Sequence, residues 1–202
     1  MSTLLPLFPL DLVLLPGTPI PLHIFEPRYR EMIGECLEQK LAFGIVRAKE
    51  DSIAEVGCTA EILEVTKRYE DGRMDIICEG RRRFEVMGLN QERAFLQAEV
   101  SYFDDEPEGA ATDQINEALR LYGDLMSLAE AESEAPEASA DQLSFQLAAP
   151  MPLDLDFKQT LLGMRSERER IAAVVAYFQA LLPRLRRAVK ARQKAGGNGH
   201  AL

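Results

Sequence analysis

The stretch that decides the fold is Pro21–Tyr29, PLHIFEPRY, in which an extended segment gives way to a helix. Proline lacks the backbone N–H but is tolerated in the first turn of a helix, so Glu26-Pro27 predicts a helix start. Apolar residues then recur at helical spacing, at Tyr29, Met32, Ile33, Cys36 and Leu37. A strand followed directly by an amphipathic helix is therefore expected here.

Upstream of this stretch, the chain from Leu4 onward is apolar and carries prolines at 6, 9, 16, 19 and 21. This density forbids a helix and confines strands to short edge pieces or bulges. Downstream, short runs rich in β-branched and aromatic residues predict strands at Ala42–Ala48, Thr59–Glu70, Arg73–Gly80, Phe84–Leu89 and Phe95–Phe103. Short strands at such regular spacing indicate a barrel or a sandwich.

The clearest local signal is Asp71-Gly72, a pair favoured in two-residue type I′ hairpin turns. If Glu70 and Arg73 flank this turn, Arg68 lies opposite Asp75 and Val65 opposite Cys78. The same register brings Glu64 opposite Glu79, a like-charge contact that needs solvent or another partner. It also argues against pairing Cys58 with Cys78 in a metal site or disulfide.

The second half of the chain is predicted to be helical. The acidic segment 104–111 is the expected linker, and Thr112 is the expected cap of a helix that ends near Ala129. An acidic connector follows at 129–138. Further helix starts are predicted at Ser139 and Ser166, from capping-box spacing to Gln142 and Glu169, and at Asp154 or Asp156 for a short helix that Gly163 ends. Pro183 should kink the last helix or start a new one.

The charge of the chain is unevenly distributed. It has 202 residues, with 23 Lys+Arg against 33 Asp+Glu, for a net charge of −10 that disfavours a generic binder of phosphate backbones. Residues 1–103 carry 12 basic and 17 acidic side chains, 104–141 carry 1 and 12, and 142–202 carry 10 and 4. A strongly acidic middle before a basic end indicates a linker and a second structural unit.

Compartment and chemistry are also constrained by the sequence. The N-terminus lacks the charged region of a signal peptide, and the longest apolar run, Ile171–Leu182, is too short to span a bilayer. Three cysteines without a C-x-x-C pair fit reduced thiols, so a soluble, cytoplasmic protein without membrane contact is expected. No phosphate-binding loop, H-E-x-x-H or G-x-S-x-G motif occurs. We therefore expect no metal, no cofactor and no catalytic residue.

Three features have both a structural and a functional interpretation. His23 is more simply a satisfied, partly buried histidine than a catalytic base, and His200 is expected to be inert. Arg81-Arg82-Arg83 is interpreted as surface charge with one structural ion pair, because strand alternation sends neighbours to opposite faces. The six basic residues of Arg184–Lys194 fit a solvated helix end or a patch for RNA. The apolar segments Leu4–Leu15 and Phe43–Val46 could form a groove as well as a core.

Several fragments, taken in order, resemble the substrate-binding, amino-terminal domain of Lon proteases. They are LPLFPLDLVLLPGTPIPLHIFEPRYREM (Leu5–Met32), FGIV (Phe43–Val46), GCTAEI (Gly57–Ile62), EGRRRFEV (Glu79–Val86), AEV (Ala98–Val100) and FKQTLLGMRSERERIAAVV (Phe157–Val175). PLHIFEPRY is the most specific of them. The resemblance implies an α+β fold: a PUA-like β pseudo-barrel with an inserted helix, followed by a C-terminal α-helical subdomain. The expected division is 1–103 for the β domain, 104–111 for the linker, 112–195 for the helical subdomain and 196–202 for a flexible tail.

The resemblance also implies a function. Domains of this family are thought to recognise exposed or unfolded polypeptide, and the ATPase and serine-lysine peptidase modules of full Lon proteases are not expected in a chain that ends at Leu202. We therefore expect a non-enzymatic module that binds apolar polypeptide segments, and that could work with a separate protease or chaperone. The positions expected to bind are His23, Phe25, Arg28 and Tyr29. Alternatively, these residues hold the strand-to-helix junction, with Arg28 paired to Glu31.

Two other functions stay open at this point. PUA-like barrels elsewhere bind RNA, so the basic C-terminal helix could make the chain an RNA-binding protein whose affinity falls steeply with salt. An unrecognised hydrolase would require turnover by the purified protein. The sequence also allows a homodimer through an edge strand or the helical stripe.

Overall fold

The computed structural model describes residues 4–50, 52–131, 135–139 and 142–197. In chain order, these residues form β1 (Leu5–Leu10), β2 (Pro19–Ile24), α1 (Pro27–Gln39), β3 (Phe43–Lys49), β4 (Ser52–Arg68), β5 (Met74–Asn90), β6 (Gln97–Phe103), α2 (Thr112–Ala129), α3 (Leu143–Ala148), α4 (Leu155–Gly163) and α5 (Glu167–Gly197). The predicted sequence of strands, inserted helix and C-terminal helices is confirmed.

The strands form a sheet in the order β2-β5-β4-β3-β1-β6, and an additional pairing of β5 with β6 closes it. β1 and β3 are parallel, whereas the other pairs are antiparallel. The closure is possible because β5 is 17 residues long: residues 74–79 pair with β2 and residues 83–90 pair with β6. The result is the predicted pseudo-barrel, with β2 as an outer strand and α1 inserted between β2 and β3.

One cluster of buried apolar residues in the core of the β unit is made of Leu5, Leu7, Val46, Phe84 and Ala98. The Phe84 ring fits because two glycines face it: an added Cβ would lie 2.7 Å from Phe84 Cζ at Gly44 and 2.5 Å at Gly57. The absence of these two side chains leaves the space that the ring occupies.

The β4–β5 hairpin differs from its prediction. Gly72 has φ +85° but Asp71 does not have a positive φ, so the turn is not type I′. Gly72 N–H donates to the Tyr69 carbonyl and Tyr69 N–H to the Arg73 carbonyl, the pattern of a three-residue loop with a glycine bulge.

The predicted register was wrong, because the extra loop residue shifts it by one residue and two bulges, between Val65 and Lys67 and between Ile62 and Glu64, shift it further. Arg68 pairs with Met74, Lys67 with Asp75 and Ile62 with Cys78. Glu61, not Glu64, lies opposite Glu79. Cys58 pairs with Arg83, so its separation from Cys78 was correctly expected.

The helix ends are partly as predicted. Asp154 caps α4, its Oδ1 accepting hydrogen bonds from Asp156 N–H at 2.8 Å and Phe157 N–H at 3.2 Å. Ser166 Oγ accepts from Glu169 N–H at the start of α5. Thr112, however, is the first residue of α2 and Ala111 precedes it as the N-cap. The predicted start of α3 was wrong, because this helix begins at Leu143 and not at Ser139. Pro183 does not start a new helix, since α5 continues through it to Gly197.

The chain divides into two compact units. The β unit comprises the residues up to Asp105 together with Pro152–Gly163, and the helical unit comprises Glu106–Met151 and the chain from Met164 onward. α4 thus lies in the β unit, whereas the sequence placed it in the helical subdomain. It is held there by an ion pair of Asp156 with Arg47 and a hydrogen bond from Gln159 Nε2 to the Val56 carbonyl. His200 and most of the expected tail lie outside the described residues, and so does part of the acidic connector.

The helical unit is built on α2 and α5, and Arg170 forms a buried charged network within it. Arg170, at 0% exposure, donates to Ser144 Oγ at 2.9 Å, to Glu167 Oε2 at 2.5 Å and to the Met164 carbonyl at 2.8 Å. Its guanidinium also lies over the Phe145 ring. Each of these hydrogen bonds satisfies a buried donor of Arg170. Because Ser144 lies in α3 and Glu167 at the start of α5, the network joins these two helices.

Candidate functional site

A surface concavity of the β unit lies where the C-terminal end of α1 meets β4, β5 and β6. Its volume is about 530 Å³. We call it the groove; it is lined by Cys36, Leu37, Lys40, Leu41, Ala42, Thr59, Glu61, Ile62, Arg81, Arg82 and Tyr102. A concavity of this size with apolar and polar walls can accept several side chains of a bound molecule.

The groove presents apolar surface to solvent. Leu41 is 46% exposed and Tyr102 is 42% exposed, both high values for large apolar side chains. Lys40 ends α1 in a left-handed conformation, and Leu41 N–H donates to the Cys36 carbonyl, which closes the helix and directs the chain into β3. Cys36 itself is buried, and burial raises the pKa of its thiol to about 11, so it contributes volume and not reactivity.

The charged rim of the groove depends on a bulge in β5. Between the pairs Cys58–Arg83 and Ala60–Gly80, Arg81 and Arg82 together oppose Thr59 alone. The Arg82 N–H donates to Thr59 Oγ1 at 2.9 Å. Because a bulge re-aims side chains, both arginines line the groove, which corrects the expectation that alternation keeps them apart.

The three neighbouring arginines have different environments. Arg81 bridges two carboxylates, with Nε 2.6 Å from Glu61 Oε2 and Nη1 2.6 Å from Glu79 Oε1, and so relieves the like-charge pair across the strands. Arg82 lies over the Tyr102 ring, 4.5 Å from its centroid. Arg83 is buried and forms an ion pair with Asp105, the structural pair that the sequence suggested.

Two of the four predicted binding residues meet on a different surface. His23 and Phe25 stack with ring centroids 5.9 Å apart, and Tyr69 meets His23 edge-on at 5.8 Å. We call these three residues the aromatic cluster. His23 Nδ1 and Tyr69 Oη both hydrogen-bond Asp75, and these bonds, His23 first, lower the pKa of that carboxyl. Phe25 is 57% exposed, so the cluster offers an apolar ring to solvent.

The other two predicted residues belong to the junction between β2 and α1. Tyr29 is buried and stacks on Phe8 with centroids 4.0 Å apart. Arg28 lies over the Tyr29 ring and pairs with Glu26 at 2.8 Å, not with Glu31. Glu31 instead pairs with Arg93 at 2.7 Å. These contacts agree with the alternative role at the strand-to-helix junction.

The sequence did not point to most of the groove. Its residues come from four separated segments, 36–42, 59–62, 81–82 and 102, that only barrel closure brings together. Arg81 and Arg82 stand out in the sequence as part of a basic run, whereas Lys40, Leu41 and Tyr102 belong to no motif that indicates a binding site. Among the described residues, no group of three His, Cys, Asp or Glu is placed to hold a metal ion.

Similarity of sequence to known proteins identifies the family. The family model of the ATP-dependent protease La (LON) substrate-binding domain matches residues 4–179. The chain belongs to this family. Sequence relatives include Lon protease 1 of Hydrogenovibrio crunogenus, 23% identical over 82% of this chain and 22% of that protein. Another is the Lon protease of Buchnera aphidicola, 27% identical over 87% of this chain and 25% of that protein. The chain thus spans about a quarter of the length of these relatives.

Solved structures agree with the family and the fold. A Lon N-terminal domain protein from Xanthomonas campestris is 27% identical, with a TM-score of 0.71 over 87% of this chain and 98% of that one. The N-terminal domain of the Mycobacterium avium complex Lon protease, 21% identical, has a TM-score of 0.63 over 88% and 98% and supports the fold alone. None of the described helices combines the length and apolar character needed to cross a bilayer.

Proposed function

We propose that this chain is a non-enzymatic module that binds exposed apolar segments of other polypeptides in the groove. The observation that carries the proposal is the solvent-exposed apolar surface of Leu41 and Tyr102 within a concavity of about 530 Å³. Single exposed apolar residues are common, but exposed apolar residues that share a concave surface are typical of binding sites. The family to which the chain belongs is described by substrate binding, which fits this use.

Among the described residues, the cysteines and His23 are buried or held by neighbouring side chains. Cys36, Cys58 and Cys78 are buried, and burial raises their thiol pKa values to about 11 or 12. His23 Nδ1 hydrogen-bonds Asp75, and its ring packs against the rings of Phe25 and Tyr69. These environments support binding without catalysis. Buried free thiols also suit the reducing cytoplasm, where we propose that the chain acts and passes bound polypeptide to a separate protease or chaperone.

The aromatic cluster is the competing location, because it contains His23 and Phe25 from the sequence-based proposal. It is exposed, but the groove is concave and can bury more of a bound side chain. Arg28 and Tyr29 would act only indirectly at the cluster, by holding the junction from which Phe25 projects. The groove and the aromatic cluster share no residues, so substitutions can test each of them separately.

The test is affinity for a fluorescently labelled unfolded polypeptide, such as reduced and alkylated lactalbumin, measured by anisotropy. The groove variant is Leu41→Ser with Tyr102→Ser, and the matched control is Leu63→Ser with Met87→Ser, two exposed apolar residues that do not line the groove. Loss of apolar contact should weaken binding by about tenfold in the groove variant alone.

A third variant, His23→Ala with Phe25→Ala, tests the aromatic cluster. If only this variant loses affinity, the site is the cluster and the groove proposal is wrong. If wild-type protein binds no unfolded polypeptide, the proposed function itself is wrong. Circular dichroism and thermal unfolding of each variant establish that the fold is retained.

A further inference from the structure

The groove carries a charge pattern opposite to that of the whole chain. Lys40, Arg81 and Arg82 line it, against one carboxylate, Glu61. The chain as a whole has a net charge of −10. A concave surface with one sign of charge concentrates the local field and selects ligands of the opposite sign.

The cations of the groove differ in how far they are neutralised. Arg81 is held between Glu61 and Glu79, so its charge is already compensated within the sheet. Lys40 and Arg82 have no carboxylate within ion-pair distance among the described residues, and the guanidinium carbon of Arg82 lies over the Tyr102 ring, 4.5 Å from its centroid. A guanidinium stacked on an aromatic ring keeps its edge N–H groups available for a carboxylate.

Apolar and cationic groups alternate closely in this site. Leu41 follows Lys40 directly in the chain, and Tyr102 is in contact with Arg82. A bound segment that places an apolar side chain on Leu41 or Tyr102 therefore brings its neighbouring residues to a cation. Basic neighbours would be repelled and acidic ones would form charge-assisted hydrogen bonds.

We propose that the groove selects polypeptide segments in which acidic residues adjoin bulky apolar ones. This inference rests on the proposed function, since it names the class of segment bound at the same site. The proposed preference for acidic segments is the opposite of what the net charge predicts, because a protein of charge −10 repels acidic ligands at long range. A preference for acidic peptides therefore has to come from the local cations.

The experiment uses three labelled peptides of equal length with the same leucine and phenylalanine positions, and with two central residues that are Glu, Gln or Lys. Affinities are measured by anisotropy at low and high salt. The wild-type chain should bind the Glu peptide about fivefold more tightly than the Gln peptide at low salt, and the Lys peptide most weakly. High salt should reduce these differences.

Two charge variants locate the preference. Lys40→Gln with Arg82→Gln should bind the Glu and Gln peptides equally, so the readout is the ratio of these two affinities and not the affinity for either peptide alone. Arg68→Gln, at an exposed cation of β4 outside the groove, is the control and should keep the preference.

The outcomes distinguish this inference from the proposed function. If all three peptides bind the wild-type chain equally, or if the preference survives in the double variant, the selection of acidic segments is wrong although peptide binding stands. If none of the peptides binds, the proposed function fails and the selection fails with it.

Discussion

Arg83 shows how a single residue of a charged run can be structural. Its side chain is 1% exposed and pairs with Asp105, and it also donates to the Leu162 carbonyl at 3.1 Å. The guanidinium lies over the Phe103 ring. The tripeptide Arg81-Arg82-Arg83 thus contains three different environments. Arg83 forms a buried ion pair, Arg81 bridges two carboxylates, and Arg82 is a cation at the groove.

Removal of the Asp105 carboxylate should be strongly destabilising. Asp105→Ala removes a carboxylate that pairs with the buried Arg83 side chain, which should cost about 3 kcal/mol in the free energy of unfolding. Urea unfolding followed by circular dichroism measures this change. The control is Asp71→Ala, which removes an exposed carboxylate paired with Arg73 and should cost far less, because an ion pair in water is weak. Equal, small losses in both variants would contradict the structural role of the Arg83 pair.

At the scale of the element, β5 is held close to the loop before β2 by Gly80. Gly80 N–H donates to the Thr18 carbonyl at 3.0 Å, and Gly17 N–H donates to the Gly80 carbonyl at 2.8 Å. An added Cβ at Gly80 would lie 2.3 Å from the Leu15 carbonyl oxygen. Backbone cannot move aside as a flexible side chain can, so this strand requires glycine at position 80.

Gly80→Ala should therefore lower the free energy of unfolding by about 2 kcal/mol or more, since overpacking forces backbone shifts. Gly88→Ala is the matched control in the same strand, because nothing lies within 4 Å of an added Cβ there. It should change stability by less than about 0.5 kcal/mol. Denaturant unfolding of both variants gives the comparison, and a Gly80 variant as stable as the Gly88 variant would refute the close approach.

The elements also show why sequence reasoning succeeded in some places and failed in others. Pro27 marks the start of α1 because its ring geometry acts locally. The β4–β5 register depends on whether Asp71 adopts a positive φ and on bulges along the pair. Asp-Gly is compatible with either turn. β5 was predicted as two strands because Arg81–Arg83 interrupts the apolar pattern; the structure accommodates the interruption with a bulge.

For the whole molecule, barrel closure is the reason that the groove was not predicted. Tyr102 comes near residues 36–42 only because β6 pairs with both β1 and β5. No periodicity along the chain encodes that contact. The PLHIFEPRY motif instead drew attention to the β2–α1 junction, where Tyr29 and Arg28 have packing contacts.

The basic end of the chain raises the remaining question at this scale, whether the molecule binds RNA. On α5, Arg186 Nη2 lies 3.7 Å from Asp124 and Arg187 Nε donates to the Pro183 carbonyl, so two of the cations already have partners. Phosphate binding depends on several cations acting together, and the net charge of −10 opposes it. We therefore expect no retardation of single-stranded RNA at physiological salt.

A gel-shift series across salt concentrations tests this expectation, with Arg184→Gln, Arg187→Gln and Lys190→Gln combined in one variant. Weak binding at low salt that is equal in wild type and variant would be non-specific and would agree with the expectation. Binding that persists at physiological salt, falls steeply as salt rises and disappears in the variant would require several phosphate contacts from α5. That outcome would make RNA the partner of the helical unit, and a polypeptide-binding groove in the β unit would then account for only part of the function.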